Sequence, residues 1–181
     1  MKLIFTIFFS FLFIGISNCQ DRFLTKNGAI SFYSKAAMED ITADNNQVLS
    51  IIDATSGKMA ISILMKSFLF KKALMQEHFN ENYAESDKFP KATFKGDILN
   101  FDAIGETLTT AKVKGILTIH GISKEIIIDA NFTRTKDAIV VDGGFIIEVD
   151  DFNINIPAVV AKNIAKKIKV SFNFNHKPFN K

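Results

Sequence analysis

Apolar and polar residues alternate with a period of two along much of this 181-residue chain, and no other feature restricts the possible folds as strongly. The alternation is clearest in four segments, residues 92–101, 111–119, 125–134 and 166–174. In the last of them, Ile168 and Val170 alternate with Lys167 and Lys169. This period is typical of β-strands that bury one face. The pattern therefore predicts an all-β protein with antiparallel strands.

Weaker alternation predicts four more strands, at residues 28–35, 47–53, 58–65 and 138–149. Turn-forming residues such as Asn45-Asn46 and His120-Gly121 separate the predicted strands. An open sheet of about eight strands would expose two edges, so closure into a barrel or a two-sheet sandwich is expected. Gly143-Gly144 lies inside the last weak segment and predicts a bend or a bulge, which helps a barrel to curve.

Two segments predict helices, and both are short. Residues 71–79 place Leu74, Met75, His78 and Phe79 on one apolar face, because residues three and four positions apart lie side by side on a helix. Residues 158–164 follow Pro157, which suits the first position of a helix. Neither segment is long enough to hold a fold together, so the strands are expected to form the core.

The first 19 residues predict a secretory signal peptide, because Lys2 precedes an apolar run from residue 3 to residue 16. This run is shorter than the roughly 20 residues that a membrane-spanning helix needs. Cleavage before Gln20 would leave a single domain, residues 20–181, in the periplasm or the medium. A lipoprotein anchored through Cys19 is the alternative, although Asn18 is a poor residue to precede a lipidated cysteine.

Signatures of catalysis and of metal binding are weak in the sequence. His78, His120 and His176 lie far apart, and none has a second ligand at metal-binding spacing. No serine lies in the strand-turn-helix pattern of a hydrolase nucleophile. Without the first 19 residues, 21 Lys and Arg would stand against 19 Asp and Glu, and this nearly neutral balance argues weakly against nucleic acid as a partner. We therefore expect neither an enzyme nor a protein with a metal or an organic cofactor.

A basic cluster precedes and enters the last predicted strand, and it consists of Lys162, Lys166, Lys167 and Lys169. It could contact a lipid pyrophosphate or an anionic membrane surface. A solvated helix end and strand face is the simpler explanation, because Lys167 and Lys169 alternate with apolar residues.

Apolar residues exceed what the core of a small barrel needs. Met59, Ile61, Ile63 and Met65 share one face of a predicted strand. Large apolar residues continue through the least regular part of the chain, at Phe68, Phe70, Leu74, Met75, Phe79, Tyr83 and Phe89. Methionine and phenylalanine suit irregular apolar ligands, but ordinary core packing explains the same residues about as well.

Two stretches carry a resemblance to a known family. Residues 115–124, GILTIHGISK, match a G-x-L-T-I-x-G-x-(S/T)-K turn, and residues 78–90, HFNENYAESDKFP, resemble a segment that joins a histidine to an aromatic-proline pair. With these motifs the chain resembles the YceI-like family of secreted bacterial proteins that bind polyisoprenoid lipids. It departs from the family pattern in the second stretch, which is one residue shorter and has Asn80 and Glu81 where a basic residue is usual.

The resemblance implies an eight-stranded, antiparallel, lipocalin-like barrel with one or two short helices. Its apolar lumen would hold an isoprenoid or another long-chain amphiphile, with transient membrane contact and a homodimer as further options. The candidate ligand-binding residues are Met59, Ile61, Ile63, Phe68, Phe70, Leu74, Phe79, Tyr83, Phe94, Phe132, Phe145 and Phe172. Two alternatives stay open: a structural or stress-response barrel without a ligand, and an enzyme that acts on an isoprenoid.

Overall fold

Nine antiparallel β-strands make up most of the chain that the computed structural model describes, which is residues 22–35, 40–156 and 165–179. The strands are β1 (Arg22–Ser34), β2 (Ile41–Asp53), β3 (Lys58–Leu64), β4 (Leu69–Phe70), β5 (Lys91–Ile98), β6 (Thr109–Ile119), β7 (Ile122–Arg134), β8 (Ile139–Glu148) and β9 (Lys167–Pro178). All eight predicted strands are present, which confirms the all-β antiparallel prediction. β4 is an additional strand of two residues.

Eight of the strands close into a barrel. They follow one another around it in the order β1-β9-β8-β7-β6-β5-β3-β2, and β4 pairs with β2 on the same edge as β3. Pairing between β1 and β2, from Arg22↔Asp53 to Ser34↔Ile41, completes the ring. The structure thus decides for a barrel and against a two-sheet sandwich. Closure gives the first and last strands partners that an open sheet would lack.

In the part of the chain that the structure describes, helical structure is confined to the connections. The helix α1 (Ala73–His78) continues directly into a π-helical turn, Phe79–Tyr83. Short 3-10 turns lie at Met65–Ser67, Phe101–Ala103 and Val149–Phe152. The prediction of a helix within residues 71–79 is confirmed. The second predicted helix, residues 158–164, lies outside the described residues, as do the predicted signal peptide and its cleavage site at Cys19 and Gln20.

Of the bend or bulge predicted at Gly143-Gly144, the bulge is absent, although the pairing of β8 with β7 ends at Gly143. β8 pairs with β9 without any register shift, from Ile139↔His176 to Glu148↔Lys167. A Cβ atom on Gly143 would lie 2.8 Å from Cζ of Phe172, so the glycine makes room for an aromatic ring inside the barrel. The register shifts lie instead in β1, on either side of Gly28.

One end of the barrel is filled by side chains. Ile52, Phe132, Ile139 and Phe174 lie there, and each is at most 1% exposed. Interior packing of this kind is as dense as in a crystal of small organic molecules, so we do not expect a ligand at this end.

A histidine is buried in the same closed end. The ring of His176 donates a hydrogen bond from Nδ1 to the carbonyl oxygen of Ile139 at 3.0 Å, and Nε2 lies 2.8 Å from the hydroxyl of Ser50. A carbonyl oxygen can only accept, so Nδ1 carries the proton and Nε2 accepts from Ser50. Burial lowers the pKa of His176 from 6.5 to about 4, although the bond to Ile139 opposes the shift.

We expect the stability of the fold to decrease as the pH falls through this range. The folded state binds a proton on His176 less readily than the unfolded state, so the contribution is fully present above pH 6.5 and is lost progressively towards pH 4. One pKa unit corresponds to about 1.4 kcal/mol, which makes the total loss about 3 kcal/mol. Urea denaturation at a series of pH values would measure it. The variant His176→Gln should lose this part of the pH dependence, and an equal slope in both proteins would contradict the assignment.

Candidate functional site: an apolar lumen

The end of the barrel opposite His176 contains a cavity of about 460 Å³, which we call the lumen. The strands contribute inward-facing apolar side chains to it, and the segment between β3 and β5 contributes others. The lining residues from the strands include Ile30, Phe32, Ile63, Ala92, Leu117, Ile119, Phe145, Ile147, Ile168 and Val170. These positions alternate with outward-facing residues along each strand, which is why they share the interior.

Four phenylalanine rings form one wall of the lumen: Phe32, Phe68, Phe70 and Phe79. The ring centroids of Phe70 and Phe79 are 5.0 Å apart, and Phe32 lies 5.3 Å from Phe68 and 5.5 Å from Phe79. Such tilted contacts are favourable for aromatic pairs. The wall is apolar throughout and would accept an alkyl or isoprenoid chain.

The helix α1 and the π-helical turn that follows it supply side chains to the lumen from residues three and four positions apart. Met75, His78 and Phe79 all line the lumen. Leu74 does not, because it lies about 100° further round the helix from Met75, and 61% of it is exposed. The sequence prediction placed Leu74 in the lumen, and the structure corrects this.

Polar lining residues are few. Ser34, His78, Tyr83 and His120 are the polar members of the lining. Partial burial raises the pKa of Tyr83, so this residue stays neutral at physiological pH. The lumen thus offers hydroxyl and imidazole groups to a polar head group, and none of its described lining residues is Asp, Glu, Lys or Arg.

His120 ties three connections together beside the lumen. Its Nε2 lies 2.6 Å from a carboxylate oxygen of Glu85, and its Nδ1 lies 3.2 Å from the carbonyl oxygen of Phe152. The ring also packs on Phe89 at a centroid distance of 4.4 Å. His120 therefore links the β6–β7 turn to the segment after α1 and to the 3-10 turn after β8.

The signature turn at residues 115–124 makes this arrangement possible. His120 and Gly121 both have a positive φ, 51° and 75°, as expected for a two-residue hairpin turn. A Cβ atom on Gly121 would lie 2.7 Å from the ring of Phe89, so only glycine fits beneath that ring. The glycine of the motif is thus required by the conformation of the turn and by the packing of Phe89 against it.

The structure divides the candidate ligand residues between two cavities. Six line the lumen: Ile63, Phe68, Phe70, Phe79, Tyr83 and Phe145. An inner cavity of about 50 Å³ lies deeper in the barrel and is lined by Met59, Ile61, Phe94 and Phe172, and also by Ile63 and Phe145. Phe94 and Phe132 point inward as predicted, at 5% and 0% exposure. Phe132, however, lines neither cavity and belongs to the packed core.

Several lining residues were missing from the prediction. Phe32, Ile119, Ile147 and Val170 lie in segments whose alternation was recognised, so the strand pattern alone could have identified them. His120 carried no such signal, because its position depends on contacts between three separate connections.

In the described residues, no group of three or more histidine, cysteine, aspartate or glutamate side chains could hold a metal ion. The same part of the chain contains no helix with the length and apolar character needed to cross a membrane.

A closed, up-and-down antiparallel barrel with an apolar cavity at one end is a lipocalin-like barrel. More particularly, the chain belongs to the YceI-like domain family, whose sequence profile matches residues 6–176. Among curated proteins, none is significantly similar to it in sequence.

Solved structures of low sequence identity share the fold. One is a polyisoprenoid binding domain from Saccharophagus degradans implicated in plant cell wall breakdown, at 15% identity and a TM-score of 0.73, covering 88% of this chain and 99% of that one. Another is BcnA of Burkholderia cenocepacia, at 18% identity and a TM-score of 0.70, covering 82% and 95%. A YceI protein of Campylobacter jejuni has 17% identity and a TM-score of 0.51, covering 82% and 85%.

Proposed function

We propose that this protein binds and carries a long-chain isoprenoid, or another long-chain amphiphile, with the apolar chain inside the lumen. The observation that supports this most directly is a cavity of about 460 Å³ with an almost entirely apolar lining. Small-molecule sites in proteins measure about 300–1,000 Å³. Each methylene that leaves water contributes about 0.8 kcal/mol, so a long chain gains more than a short one.

The polar residues of the lumen suggest which way the ligand lies. Ser34 and His120 lie near the ends of β1 and β6, and Tyr83 and His78 lie on the segment after β4. A head group would contact these side chains, while the tail would point towards Phe94 and Phe172 at the inner cavity. The similarity in fold to a polyisoprenoid binding domain is consistent with an isoprenoid tail.

We propose a binder and not an enzyme. The carboxylate of Glu85 is paired with His120, whose second nitrogen faces the carbonyl oxygen of Phe152. Both imidazole nitrogens are thus engaged in holding the connections in place. A barrel without a ligand is less well supported, because a filled interior would not leave a cavity of about 460 Å³.

Titration with a fluorescent long-chain isoprenoid tests the proposal. We expect saturable binding of one ligand per chain and much weaker binding of a short-chain analogue with the same head group, because fewer methylenes are buried. Mass spectrometry of an organic extract of the purified protein would identify the natural ligand. A folded protein that binds neither analogue would favour the barrel without a ligand.

We also propose that the protein acts outside the cytoplasm, after cleavage before Gln20. Lys2 and the apolar run that follows it support export. The mass of the N-terminal peptide would decide the matter, since a diacylated Cys19 would identify a lipoprotein and an intact Met1 would contradict export. Transient membrane contact and a homodimer stay predictions.

A further inference from the structure

The wall of the barrel is interrupted between β7 and β8. These strands pair only from Ala130↔Gly143 to Arg134↔Ile139. Within the described residues, no ladder pair joins residues 122–129 of β7 to residues 144–148 of β8. We call this interruption the seam. On the β8 side it covers five residues, or about 16 Å of extended chain.

The strands beside the seam are otherwise well held. β7 pairs with β6 from Thr109↔Phe132 to Ile119↔Ile122, and β8 pairs with β9 along its whole length. The seam is therefore a separation between two firmly paired strand edges and not a frayed end. Closed barrels normally leave no such edges, since unpaired edges invite aggregation.

Both cavities lie directly behind the seam. On the β7 side, Ile126 and Ile128 face inward and line the inner cavity. On the β8 side, Ile147 lines the lumen, and Phe145 lines both cavities. A chain that passed between the strands would reach the proposed tail site at once.

Each edge of the seam, which we call a lip, carries one exposed isoleucine. Ile127 of β7 is 55% exposed and Ile146 of β8 is 65% exposed. The other outward positions along these edges are polar or lack a side chain, at Ser123, Glu125, Asp129, Gly144 and Glu148. An isoleucine on each lip gives an alkyl chain an apolar path from the surface to the interior.

Polar contacts define both ends of the seam. An ion pair joins Lys124 of β7 to Asp151 of the 3-10 turn after β8. At the other end, the amide of Asn131 donates to a carboxylate oxygen of Asp142 at 3.1 Å, beside the last backbone pair. The opening therefore has a fixed length. The end of the barrel is itself bridged by His120, which links three connections there.

We propose that the seam is a lateral portal, through which the apolar chain of the ligand enters and leaves the barrel sideways. This proposal rests on the function proposed above. Sideways passage keeps the chain against isoleucine side chains throughout, and it avoids drawing the whole chain lengthwise past the bridged connections. The head group can remain at the surface while the tail crosses the wall.

Cross-linking the lips tests the portal. The pair Ile127→Cys and Ile146→Cys, in a chain that carries Cys19→Ser, would be bridged with a short bismaleimide. Stopped-flow fluorescence with the long-chain isoprenoid should show association and dissociation at least about tenfold slower, with an unchanged Kd, because both directions use the same path. The control is the pair Thr133→Cys and Val140→Cys, bridged across the same two strands where they are paired, and its rates should match those of the wild type.

A second variant should make ligand exchange faster instead of slower, and it needs no cross-link. Lys124→Gln removes the ion pair at one end of the seam and should make exchange about threefold faster. Wild-type rates in both the cross-linked protein and Lys124→Gln would overturn the portal while leaving the binding function intact. If the wild-type protein itself showed no equilibrium binding of the isoprenoid, the proposed function would be wrong, and the portal with it.

Discussion

Replacing Phe79 by Asp should weaken binding of a long-chain isoprenoid by more than about 100-fold, since an unpaired carboxylate in an apolar site loses several kcal/mol of hydration. Phe79 belongs to the aromatic wall, with its ring centroid 5.0 Å from that of Phe70 and 5.5 Å from that of Phe32. A charge here would lie against the ligand chain and among these rings. Fluorescence titration would measure the change in Kd.

The matched control lies on the same helix. Leu74→Asp introduces the same charge five residues earlier, where the side chain is 61% exposed and does not line the lumen. We expect its Kd to stay within about twofold of the wild-type value, because water and salt screen an exposed charge at position 74 from the ligand in the lumen. Circular dichroism would verify that both variants fold. Equal affinities for Phe79→Asp and Leu74→Asp would show that the aromatic wall is not the tail site.

Replacing Phe132 by Ala should lower the free energy of unfolding by about 4 kcal/mol, because the removal of a fully buried ring leaves a cavity. Phe132 is 0% exposed and lines neither the lumen nor the inner cavity. Its predicted role in ligand binding would then be indirect, through the stability of the closed end. Denaturation in urea, monitored by circular dichroism, measures the effect.

Phe145→Ala provides the comparison for this variant. Phe145 lines both cavities, so one side of its ring already lacks packing partners. Its removal should therefore cost less, about 1–2 kcal/mol, because fewer close contacts are lost. If Phe145→Ala destabilised the fold as much as Phe132→Ala, the division of the interior into a packed end and an open lumen would be wrong.

The closed end and the lumen make different demands on their side chains. At the closed end, His176 is satisfied by Ile139 and Ser50, and the surrounding side chains are buried. At the lumen, the same alternation of inward residues leaves a void, because α1 and its π-helical turn bring Phe79 and Tyr83 to the rim without filling the interior. One barrel therefore combines a rigid base with a site that can accept a chain.

By itself, the sequence determined the strands and the side chains that face inward. Alternation in residues 166–174 already separates Ile168 and Phe174 from Lys167 and Lys169, because a strand turns successive side chains to opposite faces. The turn at His120-Gly121 was likewise recognisable, since its residues suit a tight hairpin. These features depend on neighbours in the chain, and so a single sequence is enough to predict them.

Only the tertiary structure decided which inward side chains meet a cavity and which are packed. Phe132 and Phe145 both occupy inward-facing positions of their strands, yet one lies in the core and the other lines the lumen. The position of Leu74 outside the lumen, the engagement of His120 by Glu85, and the seam between β7 and β8 depend in the same way on the placement of distant segments. Periodicity specifies the face of a strand, but the space between faces is set by strand registers and by the connections that cross the barrel end.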